Sequence, residues 1–467
     1  MRHSLTRHRL TLIAIGLMAF AMFLVVGSPV FADGWKAGAA AVVITPRVPM
    51  PMAGYASRGA TPADGTLTDL FAKALVIEDP QGNRGLLITL DLVGIEREFA
   101  TSITAELIKS TGLRRDQIVL AASHTHTGPV VARNLRPMHY LLFNEANRKL
   151  VDTYANELQQ QLITLANKSI ANLKPATLSY HSGSTDFAVN RRTNKEADVP
   201  MLRAENKLLG PVDHDVPVLA VHCDDKLAAV VFGYACHCTV LSLNQWSGDY
   251  AGFAQQNLEK SHPGCVALFW AGCGADQNPL PRRTVELAQS YGKQLADAVH
   301  TVLESPLHPI VGSLSTTYHE VPLPFATLPT RDELTRDTSS SNIYIAARAK
   351  SLLATLDAGE SLSDTYPYPV STWKLGSDLI WVALGGEVVV DYAIRIKDEL
   401  GSPTLKHQNV WVTAYAHDVM AYIPSRRVLA EGGYEGGGAM IYYGLPTVWA
   451  PEVENVIINE VHRQSAD

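Results

Sequence analysis

The segment "SHTHTGP", residues 123–129, sets His124 and His126 one threonine apart just after an apolar run. Zinc needs three or four nitrogen, sulfur or oxygen ligands, and a catalytic zinc site keeps one position open for water. On a strand, residues i and i+2 share a face, so the spacing predicts two imidazoles on one side, about 6–7 Å apart along the chain. The other reading of a lone His-x-His is a hydrogen-bonded polar cluster. Thr127-Gly128-Pro129 makes a turn, which places the pair at a strand end rather than inside the core. Two more donors stand in comparable settings. His237 follows a buried run in "YACHCTVLS" and reads alternatively as a satisfied core histidine. Glu387 follows a Gly-Gly turn in "ALGGE" and reads alternatively as an acid complementing a helix N-terminus.

The elements that must position these groups recur along the chain. "GLLITL" leads into Asp91, "QIVLAAS" into His124, "LAAVVFGYAC" into His237, "CVALFWAGCGA" into Asp276 and "LIWVALGG" into Glu387, while "NVWVTAYAHD" precedes Tyr422. Between them lie helical patterns. Leu150, Val151, Tyr154, Leu158, Leu162, Leu165 and Ala166 recur at three- and four-residue spacing, and Val285, Ala288, Leu295, Val299 and Val302 repeat the pattern. Residues 325–365 read as a polar excursion with one helix near Ile343–Leu356. Near-continuous apolar strands alternating with amphipathic helices predict an α/β fold, a mixed sheet covered by helices on both faces. In such sheets ligands gather outside the carboxyl ends of the strands, which is where these histidines and acids fall.

Of the 467 residues, the first 32 read as a signal peptide, with Arg2, Arg7 and Arg9, an apolar run from Thr11 to Val26, then Gly27-Ser28-Pro29 and cleavage after Ala32. The rival reading is an uncleaved anchor, since roughly 17 apolar residues is near the lower limit for spanning a bilayer. A secreted or periplasmic location follows from cleavage. Residues 33–467 are expected to form one catalytic domain. The net charge of −7 is scattered rather than blocked, which argues against a nucleic-acid partner. Cys223, Cys236, Cys238, Cys265 and Cys273 are too few for a disulfide scaffold, and with no C-x-x-C pair a zinc knuckle is not expected. Cys236 and Cys238 read as two small buried apolar residues.

"SHTHTGP", "ACHCTVLS", "SGDYAGFAQQNLE", "GADQNP", "ALGGE" and "AYIPSRRVLAEGGYEGG" occur in an order similar to that of the neutral (alkaline, non-lysosomal) ceramidases, above all their short bacterial relatives. "AAVVITPRVPMPMAGYASR" and "AVNRRTN" match as well, so the resemblance runs from about residue 36 to 460. It implies zinc held by His124, His237, Glu387 and Tyr422, with Tyr415 and Tyr434 as nearby competitors for the tyrosine position. It implies a substrate-facing role for His126, an approach of Arg191 to the scissile group, and a backbone lining role for Gly54. It implies hydrolysis of an amide bond, in N-acylsphingosine or another N-acyl substrate, by zinc-activated water.

Two departures bear on that inference. Where the family carries a serine in a "GDVSPN"-like turn, alignment on the aspartate and proline of "GADQNP" puts Asn278, so no serine nucleophile is available there and Asn278 is left to bind substrate. The family continues into a C-terminal β-sandwich, whereas this chain stops soon after "YYGLPTVWAPEVENVIINEV"; lipid contacts that depend on that domain are expected to be missing. Peripheral membrane contact and oligomeric state stay open. Other readings are a zinc hydrolase of a non-lipid amide or ester on the same fold, a (β/α)8 amidohydrolase, and a non-enzymatic metal-containing periplasmic binding protein. The last predicts lost ligands, yet all four positions hold ligand-capable residues. An apolar or polar pocket mouth would separate lipid from non-lipid substrates.

Overall fold

Strands that are apolar on both faces need cover on both, and this chain supplies it with helices on one side and a second sheet on the other. The computed structural model describes residues 34–377, 379–405 and 409–466. The expected signal peptide lies outside the described residues, among which no helix is long and apolar enough to cross a membrane.

Three mixed sheets carry the architecture. The first orders Ile118–Ala122, Arg84–Leu90, Phe71–Glu78, Lys36–Val43 and the short edge Lys174–Pro175. The second orders Val266–Ala271, Lys226–Tyr234, Asp215–Cys223, Thr177–Ser184 and His308–Pro309, and the third Leu314–Pro324, Thr365–Leu375, Leu379–Leu384 and Val410–Thr413. Period-two alternation sorts each strand between layers. Leu75 and Ile77 join Val231, Leu268, Trp270, Trp373, Trp381 and Trp411 in a core between sheets. Ala74 and Val76 point the other way, onto Phe99, Ile103 and Leu107 of helix Arg97–Thr111 and Leu158, Leu162 and Leu165 of helix Glu145–Ala171. Val230 and Phe232 likewise meet Leu258, Leu295 and Val299 from helices Asp249–Ser261 and Val285–Leu303. The α/β class and mixed sheets match expectation, and the helices lie on the outer faces of the sheet assembly.

Each sheet contains one parallel pair at its edge, and these pairs position the site. Arg84–Leu90 runs parallel to Ile118–Ala122 and ends with Leu90 beside Ala122. Lys226–Tyr234 runs parallel to Val266–Ala271 and ends with Tyr234 beside Ala271. Leu379–Leu384 runs parallel to Val410–Thr413, with Ala383 beside Thr413. Bridges Ala121–Ala416 and Gly272–Thr413 hold the three edges together. Asp91, His124, His237, Asp276, Glu387 and Tyr422 all lie beyond the carboxyl ends of these six strands.

The long helical patterns fold as expected. Asn144 caps Glu145–Ala171 through a 2.9 Å bond from the Asn147 amide, and Thr284 caps Val285–Leu303. The polar excursion holds helix Ile343–Asp357 and also Arg331–Asp337, opened by a Thr330–Glu333 capping box. That second helix corrects the expectation of one. Its single buried residue, Leu334, is too little for an apolar period to register.

Candidate metal centre

Strand Ile118–Ala122 stops two residues before His124, whose φ of 61° turns the chain into the left-handed region. The shared strand face expected for His124 and His126 is therefore not what joins them. The turn does, and it brings Nε2 of His126 to 3.0 Å from Nε2 of His124. A β-carbon-bearing residue held at positive φ is costly and persists where its surroundings over-determine it.

Those surroundings also fix the tautomers. Nδ1 of His124 lies 2.6 Å from the Val93 carbonyl oxygen, and Nδ1 of His237 lies 2.7 Å from that of Gly274. Each ring donates its N–H there, which leaves a bare lone pair on each Nε2. Both lone pairs face Oε2 of Glu387, at 3.1 Å from His124 and 3.2 Å from His237. Tyr422 Oη lies 3.3 Å from His237 Nε2. Glu387 and Tyr422 reach this point as register partners in a short parallel pair, Glu387–Val388 with Tyr422–Ile423. His124, His237, Glu387 and Tyr422 are all buried, at 1%, 1%, 3% and 4% exposure.

Three acceptor atoms thus converge in a buried space with no hydrogen between them, and Glu387 Oε2 accepts no hydrogen bond. A cation at their centre would resolve that conflict. The nitrogen–oxygen separations agree with the edge of a tetrahedron of bonds of about 2.0–2.1 Å, which is roughly 3.3 Å. The protonation states agree too. Burial, then Arg191, pulls His237 down to about 4, which keeps its ring neutral. Ring nitrogens of His124, His126 and His237 all lie within 4.8 Å of one another, so a three-histidine grouping is also present.

Around this centre the other expected residues come together. Arg191 follows strand Ala188–Asn190, which pairs antiparallel with Gln277–Pro279 so that Asn278 sits opposite Val189. Its guanidinium donates to Tyr422 Oη at 3.1 Å, Asn278 Oδ1 at 3.3 Å and Glu435 Oε1 at 2.7 Å. Gly54, at φ +92°, leaves room for His126: a Cβ there would lie 2.5 Å from the imidazole Cγ. Of the competing tyrosines, Tyr415 stacks on His124 with ring centroids 4.3 Å apart and an unbonded hydroxyl, and Tyr434 packs on the Tyr422 ring at 5.2 Å. Cys236 and Cys238 are free and buried.

Two contributors were not expected, and a third, Asp276, reads in the sequence only as an acid at a strand end. Tyr443 donates to Glu387 Oε1. Arg58, the last residue of "GYASR", is buried and donates to the carbonyls of Ala53, His126 and Leu243, pinning the backbone on both sides of the Gly54–His126 contact. Asp276 accepts from the Val390 amide at 2.9 Å, and its own carbonyl accepts from the Arg191 amide at 2.8 Å. An arginine closing a glycine-containing motif was the available signal for Arg58; Tyr443 had none beyond its neighbouring tyrosine.

Comparison with known proteins bears on the family and the fold. The family model described as neutral/alkaline non-lysosomal ceramidase, N-terminal, matches residues 35–269. Neutral ceramidase A of Dictyostelium discoideum is 26% identical over 218 residues, 43% of this chain and 28% of that protein, so the match spans under a third of that relative. The fold is similar to that of a ceramidase complexed with C2, at a TM-score of 0.68 and 17% identity over 92% of this chain and 74% of the other. It is similar also to neutral ceramidase from Pseudomonas aeruginosa, at a TM-score of 0.67 and 19% identity over 92% and 73%. With the matched family model covering half of the sequence and the fold shared along nearly all of it, the chain belongs to the neutral/alkaline non-lysosomal ceramidase family.

Proposed function

We propose that the chain is a zinc-dependent hydrolase of the amide bond in an N-acylated amine, with His124, His237, Glu387 and Tyr422 as the zinc ligands. The observation that carries this reading is the convergence of two imidazole lone pairs and a carboxylate oxygen in a buried space with no proton to share. Zinc, when bound, lowers the pKa of water to about 7 and polarises a facing carbonyl.

The chain's own residues supply the rest. In the hydrolysis, a water oxygen adds to the acyl carbon, the C–N bond breaks, and a proton reaches the leaving amine. His126 is more exposed than the four ligands and holds that proton at an imidazole nitrogen. Arg58 fixes the His126 backbone and Gly54 admits its ring. Arg191 holds the Tyr422 oxygen and presents its remaining surface to the acyl group. Asn278 orients Arg191, and no hydroxyl at position 278 is available to form an acyl-enzyme. Membership in a family of lipid-amide hydrolases supports the reaction class. Residues 1–32 as a cleaved signal would place the enzyme outside the cytoplasm.

Asn278→Ala should lower turnover roughly ten- to a hundredfold without abolishing it, because a hydrogen bond from a charged donor is worth about 1.5–3 kcal/mol. Steady-state kinetics on any cleaved amide checks this. Mass spectrometry during turnover adds a second check, since an acyl adduct on the natural protein would contradict hydrolysis by water. The reading itself is tested by release of free amine from a panel of N-acyl compounds before chelation, after chelation and after zinc add-back. Activity lost on chelation and recovered with zinc is expected; amide hydrolysis indifferent to chelation would overturn it.

A further inference from the structure

The two oxygens of Glu387 have different surroundings. Oε2 faces the imidazole nitrogens of His124 and His237, and no hydrogen bond reaches it. Oε1 instead accepts from the phenol of Tyr443, which is its hydrogen-bond donor among the described residues. The proposed hydrolysis has no step for Tyr443, yet its hydroxyl is committed to a candidate metal ligand.

The fold holds this phenol in a built seat. Tyr443 ends the four-residue helix Met440–Tyr443, whose Met440, like Ala439 before it, is buried. Gly444 closes the helix at φ 88°, a left-handed turn in which a Cβ would lie 3.2 Å from Pro137. Successive residues on a helix diverge by about 100°, so Tyr442 and Tyr443 meet different neighbours. Tyr442 packs on Tyr344 of helix Ile343–Asp357, with 5.1 Å between ring centres, and Tyr344 Oη donates at 3.2 Å to the Ala56 carbonyl. Tyr443 turns to the site, its ring edge-on to that of Tyr422 at 6.4 Å. Adjacent side chains thus tie the short helix outward to Ile343–Asp357 and inward to the metal centre.

A carboxylate binds a cation through one oxygen or through two. A phenol, with an ordinary pKa of about 10, is a donor at neutral pH, and a carboxylate oxygen accepting from it has less to offer a cation. We propose that Tyr443 is a positioning residue of the metal centre: by donating to Oε1 it commits Glu387 to bind zinc through Oε2 alone. A second carboxylate oxygen on the metal would compete for the position that a catalytic zinc keeps for water, so this contact guards that position. The inference rests on the zinc-site reading and gives Tyr443 no contact with substrate.

The test uses the full chain and the variant Tyr443→Phe, which keeps the ring and deletes the donor. Its zinc Kd, measured by competition with a chromophoric chelator, should weaken roughly ten- to a hundredfold, the usual scale for losing the partner of a metal ligand. Its circular dichroism should match that of the natural protein. The visible bands of the cobalt-substituted variant should shift, because they report the atoms bound to the metal and not the stability of the fold. Tyr442→Phe, which removes the neighbouring hydroxyl from the same helix, should change neither. An unchanged zinc affinity or an unchanged cobalt spectrum in folded Tyr443→Phe would overturn the proposal, as would an equal change in Tyr442→Phe. Complete loss of zinc would also overturn it, by making Tyr443 a ligand itself. If the natural protein takes up no zinc, or takes it up equally after His237→Ala, the zinc-site reading fails and this inference with it. Zinc bound alike by the natural protein and by Tyr443→Phe removes only the inference.

Discussion

His237→Ala, and separately His124→Ala, should strip the zinc and reduce amide hydrolysis by at least roughly a thousandfold, since the metal supplies several kcal/mol and each ~1.4 kcal/mol is a factor of ten. Each ring carries two constraints at once: Nδ1 is committed to a backbone carbonyl and Nε2 to Glu387 Oε2. Removing one ring takes a ligand away and also leaves the carbonyl of Val93 or Gly274 without its donor. The fold should survive, because both histidines follow their strands, beyond Ala122 and Tyr234, and neither takes part in a strand ladder. Metal analysis and circular dichroism on the same preparations check both halves. Full zinc occupancy in either variant would refute its ligand role.

His126→Ala should behave differently: zinc stays, and turnover falls roughly a hundred- to ten-thousandfold, the usual contribution of a positioned proton-transfer group. The distinction matters because the ring nitrogens of His124, His126 and His237 are close enough for a three-histidine site. Two features separate His126 from the other two. Its Nδ1 has no hydrogen-bond partner, whereas those of His124 and His237 are each tied to a backbone carbonyl, and its ring touches Gly54 and Tyr55. Loss of zinc in this variant would make all three histidines ligands and reassign the proton transfer.

In the candidate site, His124, His237 and Glu387 were legible as candidates because each follows an apolar strand, and strand ends in mixed sheets converge; the roles of Tyr422, Arg191 and Gly54 came only through the family resemblance. The three parallel edge pairs explain why: Leu90 with Ala122, Tyr234 with Ala271 and Ala383 with Thr413 finish at matched heights, so whatever follows them shares one space. The geometry within that space was not legible. His124 and His126 meet through a left-handed residue, and nothing in "SHTHTGP" distinguishes that turn from a continuing strand. The partners that set the tautomers are main-chain carbonyls of Val93 and Gly274, which carry no side-chain signature. Tyr443 comes from the short helix Met440–Tyr443, which lies far along the chain from Glu387. Layer order was likewise hidden, since an apolar strand face reads the same whether a helix or another sheet covers it.

The most direct measurement is anomalous diffraction at the zinc edge from crystals of the purified protein. A single peak is predicted within bonding distance, about 2.0–2.2 Å, of His124 Nε2, His237 Nε2, a Glu387 oxygen and Tyr422 Oη, with His126 outside that shell. No peak among these four atoms, or a peak bonded to His126 in place of one of them, would contradict the account.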